Sequence, residues 1–271
     1  MLALVDSAAR RFLKELGSRL PQPAAIVVLS AHYDTPMTEV TAGARPETIH
    51  DFGGFPEELY RLRYPAPGSP GFARDIATRL AAAELPARLA PSRGLDHGAW
   101  IPLALMFPRA DVPVVQISID SARSPQRHFA LGSALRPLRD AGTLVLASGG
   151  ATHNLALYAH ARGRDDDSAP PEWVEAFNEW TAGAIAARRL DDLFHYSERA
   201  PFAAQNHPTA EHYLPLFVAL GAAHDEEHGV RVHSSYDRGF LSLDAYAFGL
   251  EAPVLRAIRV RVESPGSAVL H

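Results

Sequence analysis

Short apolar runs alternate with longer stretches of helical periodicity along most of the chain. Three of these runs are continuous, rich in β-branched residues and bounded by Pro, Asp or Gly; they lie at residues 24–30, 112–120 and 143–149. Such runs are typical of strands buried in a parallel sheet. Two shorter runs, at residues 230–234 and 240–243, predict later strands that would suit an antiparallel pair.

Helical patterns fill the chain between these strands. Residues 6–20 carry one apolar stripe behind N-cap candidates at Asp6 and Ser7. Further helices are predicted at residues 70–83, 124–139, 171–189 and 209–220. Strands that alternate with helices predict an α/β fold, with a mainly parallel sheet that is covered by helices on both faces.

Two stretches lack a regular pattern and predict loops. Residues 48–70 are dense in Gly, Pro and aromatic side chains, apart from a short helix at 57–61, which is typical of an ordered binding loop. Residues 161–171 contain three consecutive aspartates and predict a solvated loop. Because no linker is evident, we expect one catalytic domain over residues 1–250, followed by a tail at 251–271 that forms an edge strand or stays loose.

Composition and charge narrow the class of protein. The 271 residues include 26 basic and 31 acidic side chains, for a formal charge of −5, which argues against a nucleic-acid or polybasic membrane surface. The sequence has no cysteine, so disulfides, Cys-ligated zinc and iron–sulfur clusters are excluded. No apolar run has the length of a membrane span, and no signal-peptide pattern opens the chain. We therefore expect a cytoplasmic protein that binds neither nucleic acid nor a membrane.

Histidine is the residue type that suggests chemistry. The sequence contains 13 histidines. His32 directly follows the first predicted strand, and His153 lies just beyond the third. Open α/β sheets bind ligands at the carboxyl ends of their strands. A single histidine is more often a core residue, but two at equivalent topological positions favour a site.

Other histidines lie near predicted helix starts. His97 precedes an apolar helix, and we expect its neighbour Asp96 to cap that helix rather than to orient the ring. His212 is expected in the first turn of a helix capped by Thr209, where the helix dipole keeps an imidazole neutral, the state that a metal needs. His207, which precedes a proline, is the weaker candidate.

A competing metal motif is expected to be a surface loop. Residues 224–228 read H-D-E-E-H and fit the H-x-x-E-H pattern of inverted zincin proteases, but glycines at 221 and 229 bracket them and their flanks are polar. The chain has no G-x-S-x-G elbow, Walker A loop or G-x-G-x-x-G turn. A non-haem metal centre with imidazole ligands is the simplest remaining interpretation.

Eight short motifs occur in an order that resembles the 4,5-DOPA-extradiol-dioxygenase-like branch of the class III (protocatechuate 4,5-dioxygenase type) ring-cleaving dioxygenases. They are LSAH at 29–32, IHDFGGFP at 49–56, YPAPGSP at 64–70, DHG at 96–98, QISID at 116–120, ASG at 147–149, HNL at 153–155 and PTAEHYLPL at 208–216. The resemblance runs from residue 1 to about residue 249. It implies a single α/β domain with a central mixed sheet.

The resemblance also implies a metal site. Histidines that match His32, His153 and His212 bind the metal in that family. Members of the branch are described as binding zinc, Zn(II), whereas the dioxygenase chemistry requires iron(II), Fe(II). Related enzymes use an equivalent of His153 as the catalytic base, and His97 resembles a residue near the substrate, so these two are the catalytic candidates.

Substrate contacts are expected from the predicted binding loop and its surroundings. The candidates are Asp51, Phe52, Phe55 and Tyr213. With Tyr60 and Tyr64, the loop would form an apolar lid that holds an aromatic ring and excludes water.

The chain departs from the family pattern at its start. Family members begin with a strand that ends in His-Gly-Ser-Pro, whose histidine is a further metal ligand, and Met1 lies where that motif would just have ended. Either the start codon is assigned too late, or the chain is a divergent member with an impaired site. In both cases we expect weaker metal binding and an exposed hydrophobic sheet edge.

The activity expected from the resemblance is metal-dependent extradiol opening of a DOPA-like catechol by O2, with the protein as a monomer or homodimer. Two alternatives stay open on the same fold. One is a zinc-dependent hydrolase, and the other is a catalytically impaired protein that still binds metal.

Overall fold

A computed structural model describes residues 2–161, 163–164 and 168–259 of the chain. Its strands are β1 (Ala25–Asp34), β2 (Glu39–Thr41), β3 (Arg88–Ala90), β4 (Val114–Ile119), β5 (Thr143–Ser148), β6 (Val230–His233), β7 (Tyr236–Asp237), β8 (Leu241–Ser242) and β9 (Ala245–Ala247). Its helices are α1 (Ala8–Arg19), α2 (Glu57–Arg61), α3 (Pro70–Ala82), α4 (His97–Met106), α5 (Pro125–Asp140), α6 (Leu155–His160), α7 (Glu172–Ala186), α8 (Leu190–Phe194), α9 (Tyr196–Arg199), α10 (Ala203–Asn206), α11 (Leu214–Ala222) and α12 (Ala252–Arg259). The predicted run of aspartates at 165–167 and the tail after 259 lie outside the described residues.

The central sheet is mixed and mostly parallel. Its five strands follow the order β3-β2-β4-β1-β5. Strand β1 pairs in parallel with both β4 and β5, whereas β2 pairs antiparallel with β4. The predicted α/β class is confirmed, and β6 with β9 and β7 with β8 form the two antiparallel pairs of the late segment.

Helices cover both faces of this sheet because β1 alternates its apolar side chains between them. Ile26 and Val28 pack on one face with Trp100 of α4. Val27 and Leu29 pack on the other face, in the cluster formed with α3, α5 and α11. The carboxyl ends of β1 and β5 meet at one edge, where Ser30 is in register with Ser148.

Two predicted elements differ from the structure. Helix α11 begins at Leu214 and not at residue 209, because Pro215 occupies the first turn, where proline starts helices. His212 therefore precedes the helix, and Thr209 donates to the Glu211 carboxylate rather than capping a helix. Residues 252–259 form a helix rather than an edge strand or a loose segment.

Strand β5 is the outermost strand on its side of the described sheet. A groove of about 650 Å³ follows it, with Leu20, Leu144, Leu146, Ala219 and Phe248 among its lining side chains. No helix in the described part of the chain is long and apolar enough to cross a membrane.

Candidate metal centre

Four histidines from separate chain segments meet at the carboxyl edge of the sheet. His32 follows the continuous buried run of β1, His97 is the first residue of α4, His153 follows β5, and His212 precedes α11. The ring centroids of His153 and His212 are 3.3 Å apart, those of His212 and His32 are 5.0 Å apart, and those of His32 and His97 are 3.9 Å apart. The structure thus brings the three expected ligands and His97 into one cluster.

Two groups within this cluster could hold a metal ion. In each group, one potential ligand atom per residue lies within 4.8 Å of the others: His32 with Asp51 and His97, and His153 with Glu211 and His212. The ligand set expected from the sequence, His32, His153 and His212, takes one residue from the first group and two from the second.

The rings of His153 and His212 stack with an angle of only 9° between their planes. Burial lowers the pKa of His153, and burial together with the nearby His153 ring lowers the pKa of His212 well below its usual range. Burial and the proximity of His97 lower the pKa of His32 as well. The three expected ligands are therefore neutral near pH 7, the protonation state that binds metals.

Glu211 fixes the orientation of the His212 ring. Its Oε1 lies 3.1 Å from His212 Nδ1 and accepts a hydrogen bond from the Thr209 hydroxyl at 2.9 Å. Burial opposes ionisation, but the hydrogen bonds from its own backbone N–H, from Thr209 and from His212 lower the Glu211 pKa. An ionised carboxylate can only accept, so Nδ1 carries the proton and the Nε2 lone pair is left for a metal.

The Asp51 carboxylate lies next to the backbone and the ring of His97. Its Oδ1 accepts a hydrogen bond from the His97 backbone N–H at 2.9 Å, and its Oδ2 lies 3.0 Å from His97 Nδ1. Burial opposes ionisation of Asp51, but the His97 side chain and backbone hold its pKa at about 2. Asp51 was expected to contact substrate, whereas the contacts that the structure shows are to His97 and, at 3.9 Å, to His32.

A buried network beneath the cluster supports His32 and α4 together. Asp96, fully buried, caps α4 by accepting from the Ala99 N–H, as expected, and also accepts from Ser30 Oγ at 2.7 Å. Ser30 Oγ in turn accepts from the His32 backbone N–H at 3.1 Å. A Cβ at Gly98 would overlap Ser30 Oγ and lie 3.1 Å from the His32 ring, so only glycine fits there.

Aromatic side chains of the predicted binding loop form a wall beside His97. The Phe52 ring lies 5.4 Å from the His97 ring and 5.5 Å from the Phe55 ring, both in edge-to-face geometry. Phe55 is 42% exposed. Tyr64, expected in the lid, is instead buried, and its hydroxyl donates to the Phe107 carbonyl. The wall is therefore formed by Phe52 and Phe55 with Tyr60 behind them.

Two other sequence candidates lie away from the cluster surface. Tyr213 is 1% exposed, its ring packs 4.5 Å from that of Tyr196, and its hydroxyl lies 3.0 Å from Thr181 Oγ1 in the core. Residues 224–228 form a loop, as expected, in which His224 contacts Asp140 and His228 contacts a backbone carbonyl. The zincin pattern is not on a helix and forms no metal group with its two histidines among the described residues.

Glu211 is a site residue that had no predicted role. Neighbours in a helix point in different directions, and a helix was predicted there. In the turn that the structure shows at residues 211–213, Glu211 Oε1 instead lies 3.1 Å from His212 Nδ1.

Comparison with known proteins finds relatives over most of the chain. Residues 5–248 match the family described as "Catalytic LigB subunit of aromatic ring-opening dioxygenase". The chain is 38% identical over 252 residues to the 4,5-DOPA dioxygenase extradiol of Beta vulgaris, with 92% of each chain covered. It is 42% identical over 231 residues to the 4,5-DOPA dioxygenase extradiol of Escherichia coli (strain K12), with 84% of this chain and 83% of the relative covered.

The fold is shared with a solved structure. The crystal structure of an uncharacterized protein from Escherichia coli K12 superposes with a TM-score of 0.74 at 35% identity, covering 90% of this chain and 93% of that one. Agreement in sequence and in fold over nine tenths of the chain leaves one conclusion. The chain belongs to the LigB family of aromatic ring-opening dioxygenases, in its extradiol, class III branch.

Proposed function

We propose that this protein is a metal-dependent extradiol dioxygenase that opens the ring of a DOPA-like catechol with O2. The observation that carries the proposal is the convergence of His32, His97, His153 and His212 at the sheet edge, next to an aromatic wall. The relatives named 4,5-DOPA dioxygenase extradiol support the substrate class.

The donor set fits a divalent metal with a preference for nitrogen ligands. His32, His153 and His212 would hold the ion, since their rings are neutral and the Glu211 carboxylate at Nδ1 leaves the Nε2 lone pair of His212 free. Imidazole suits both iron(II) and zinc(II), and iron(II) is the metal expected for oxygenase activity. When bound, the metal would neutralise the charge of the catecholate and hold both reactants together.

His97 is the residue best prepared to take a proton from the catechol. Because Asp51 is ionised and its Oδ2 lies 3.0 Å from Nδ1, it would stabilise a proton on that nitrogen, which would leave Nε2 with a free lone pair. The Asp51 carboxylate would then stabilise the imidazolium that forms. This arrangement favours His97 as the base and leaves His153 as a ligand.

Phe52 and Phe55 would bind the substrate ring. Their edge-to-face pair presents an apolar surface next to His97, and aromatic rings pack favourably in this geometry. A catechol ring seated there would have its hydroxyls near the histidines and would displace water from the wall.

Product analysis tests the proposal. The protein is loaded with iron(II) without oxygen, mixed with a panel of catechols and then exposed to O2. We expect a yellow ring-opened semialdehyde whose mass exceeds that of the catechol by one O2. The His212→Ala protein should form none, whereas His195→Ala, which alters a half-exposed histidine between α8 and α9, should match the wild type. An intradiol product, or equal activity of the two variants, would overturn the proposal.

A zinc-dependent hydrolase is the second candidate, because three imidazoles with an open position are also a common catalytic zinc site. It predicts ester or lactone hydrolysis by the zinc-loaded protein without O2 consumption. An impaired metal-binding protein would show neither reaction while retaining the metal.

A further inference from the structure

Two loops at the metal centre are joined by backbone hydrogen bonds. Residues 149–154, which carry His153, run beside residues 203–213, which lead to His212. The Gly150 N–H donates to the His212 carbonyl at 2.9 Å, and the His153 N–H donates to the Asn206 carbonyl at 3.0 Å. The backbones approach so closely that a Cβ at Gly149 would overlap the His212 carbonyl.

Between these two bonds lies a histidine outside the cluster. His207 is only 6% exposed, and its Nε2 is 2.9 Å from the Ala151 carbonyl oxygen. Because a carbonyl only accepts, Nε2 carries the proton. The ring packs 4.8 Å from that of Tyr213 and 5.4 Å from that of Phe177.

We propose that His207 is a positioning residue for the metal ligands: its Nε2–H holds the Ala151 carbonyl and thereby keeps His153 in register with His212. The inference rests on the proposed function only in that this pair serves as ligands. The structural role of His207 in the two loops does not depend on which metal is bound.

Packing alone does not explain a histidine at this position. Its Nδ1 is buried and has no hydrogen-bond partner among the described residues. A buried nitrogen without a partner is unfavourable, and an apolar side chain would suit a pocket of aromatic rings better. What an apolar side chain cannot supply is the donor for Ala151, whose carbonyl lies between the two backbone bonds that align the loops.

The register of the loops matters because the two ligand rings are stacked. Their centroids are 3.3 Å apart, so a shift of the His153 loop by a fraction of that distance changes the relative position of the two ligand nitrogens. Groups that orient metal ligands typically change metal affinity about 10- to 100-fold when they are removed.

The test compares variants of the full chain at position 207. Gln places an amide N–H near the position of Nε2, Asn places it near Nδ1, and Leu removes it. Amide hydrogen exchange of residues 149–158 is measured in the metal-free protein, and affinity for zinc(II) and iron(II) is measured by chelator competition. We expect His207→Gln to stay within about 3-fold of the wild type, and His207→Leu and His207→Asn to exchange faster and to bind metal at least about 10-fold more weakly.

Phe177→Leu is the matched control, since it loosens the packing around His207 and leaves the donor in place. It should lower the Tm without changing the metal affinity. If His207→Leu folds with wild-type exchange and affinity, or if Gln and Asn behave alike, His207 is a packing residue and the proposal fails. Should the Leu variant not fold, the comparison of the Gln and Asn variants decides whether His207 has a positioning or a packing role. If the wild type binds no metal, the proposed function fails, while exchange in the metal-free loops still tests His207.

Discussion

At the scale of single residues, two carboxylates distinguish the histidines of the cluster. Glu211 lies at Nδ1 of His212, and Asp51 lies at Nδ1 of His97. A carboxylate at Nδ1 favours a proton on that nitrogen and leaves the Nε2 lone pair of the ring free. Removing the two carboxylates should have different effects, because His212 is proposed as a ligand and His97 as a base.

Replacing Asp51 by Asn should therefore affect turnover more than metal binding. We expect kcat to fall about 10- to 100-fold, because an amide stabilises the His97 imidazolium less than a carboxylate does. Metal affinity should change little, since Asp51 is 3.9 Å from His32. Steady-state kinetics and chelator competition measure the two effects. Glu211→Gln is the matched comparison and should weaken metal affinity instead; the opposite pattern would reverse the two assignments.

Gly98→Ala should displace His32. The added methyl group would overlap Ser30 Oγ and press on the His32 ring, so we expect metal affinity to drop about 10-fold and the free energy of unfolding to fall by about 1–3 kcal/mol. Gly71→Ala, at an open position in α3, should leave affinity unchanged and stability equal or higher. Urea unfolding and metal titration compare them. Equal behaviour of the two variants would show that the close approach at Gly98 has no role.

At the scale of secondary-structure elements, the strands that build the site could be predicted from the sequence. The β1 and β5 segments contain continuous apolar runs. His32 directly follows the first run and His153 lies just beyond the other, so their meeting at one edge follows from parallel pairing. Strands β2 and β3, each of three residues, carry too short a pattern to be detected.

The start of α11 was predicted five residues too early. Thr209 resembles a helix N-cap, but Pro215 would then lie inside the helix, where proline is disfavoured. The structure starts α11 one residue before that proline. The contact of His212 with Glu211 depends on the turn at residues 211–213 that results. The link from His207 to Ala151 joins distant segments, and such contacts leave no local pattern in a sequence.

At the scale of the whole molecule, acid should lower the folding stability through a histidine that lies outside the metal centre. His233, in β6, is 8% exposed and stacks on Phe12 of α1 at 4.6 Å. Burial lowers its pKa to about 4. Its ordinary pKa of about 6.5 applies in the unfolded chain, so the unfolded state binds more protons between these values and stability falls as the pH drops from about 6.5 toward 4.

His233→Phe should remove this part of the pH dependence while keeping the ring stacked on Phe12. We expect the wild type to lose about 2 kcal/mol more than the variant between pH 7 and pH 5. Urea unfolding at both pH values measures the difference. Parallel pH profiles for the two proteins would show that His233 is not neutral and buried in the folded state.

Oxygen uptake tests the proposed reaction most directly. The iron(II)-loaded protein is mixed with a DOPA-like catechol in an oxygen-electrode cell while the absorbance of the ring-opened product is followed. We predict one molecule of O2 consumed for each ring opened, with neither signal from the His212→Ala protein. Ring opening without O2 uptake, or no uptake by protein that demonstrably holds iron(II) and binds the catechol, would contradict the assignment of this histidine cluster as an extradiol dioxygenase site.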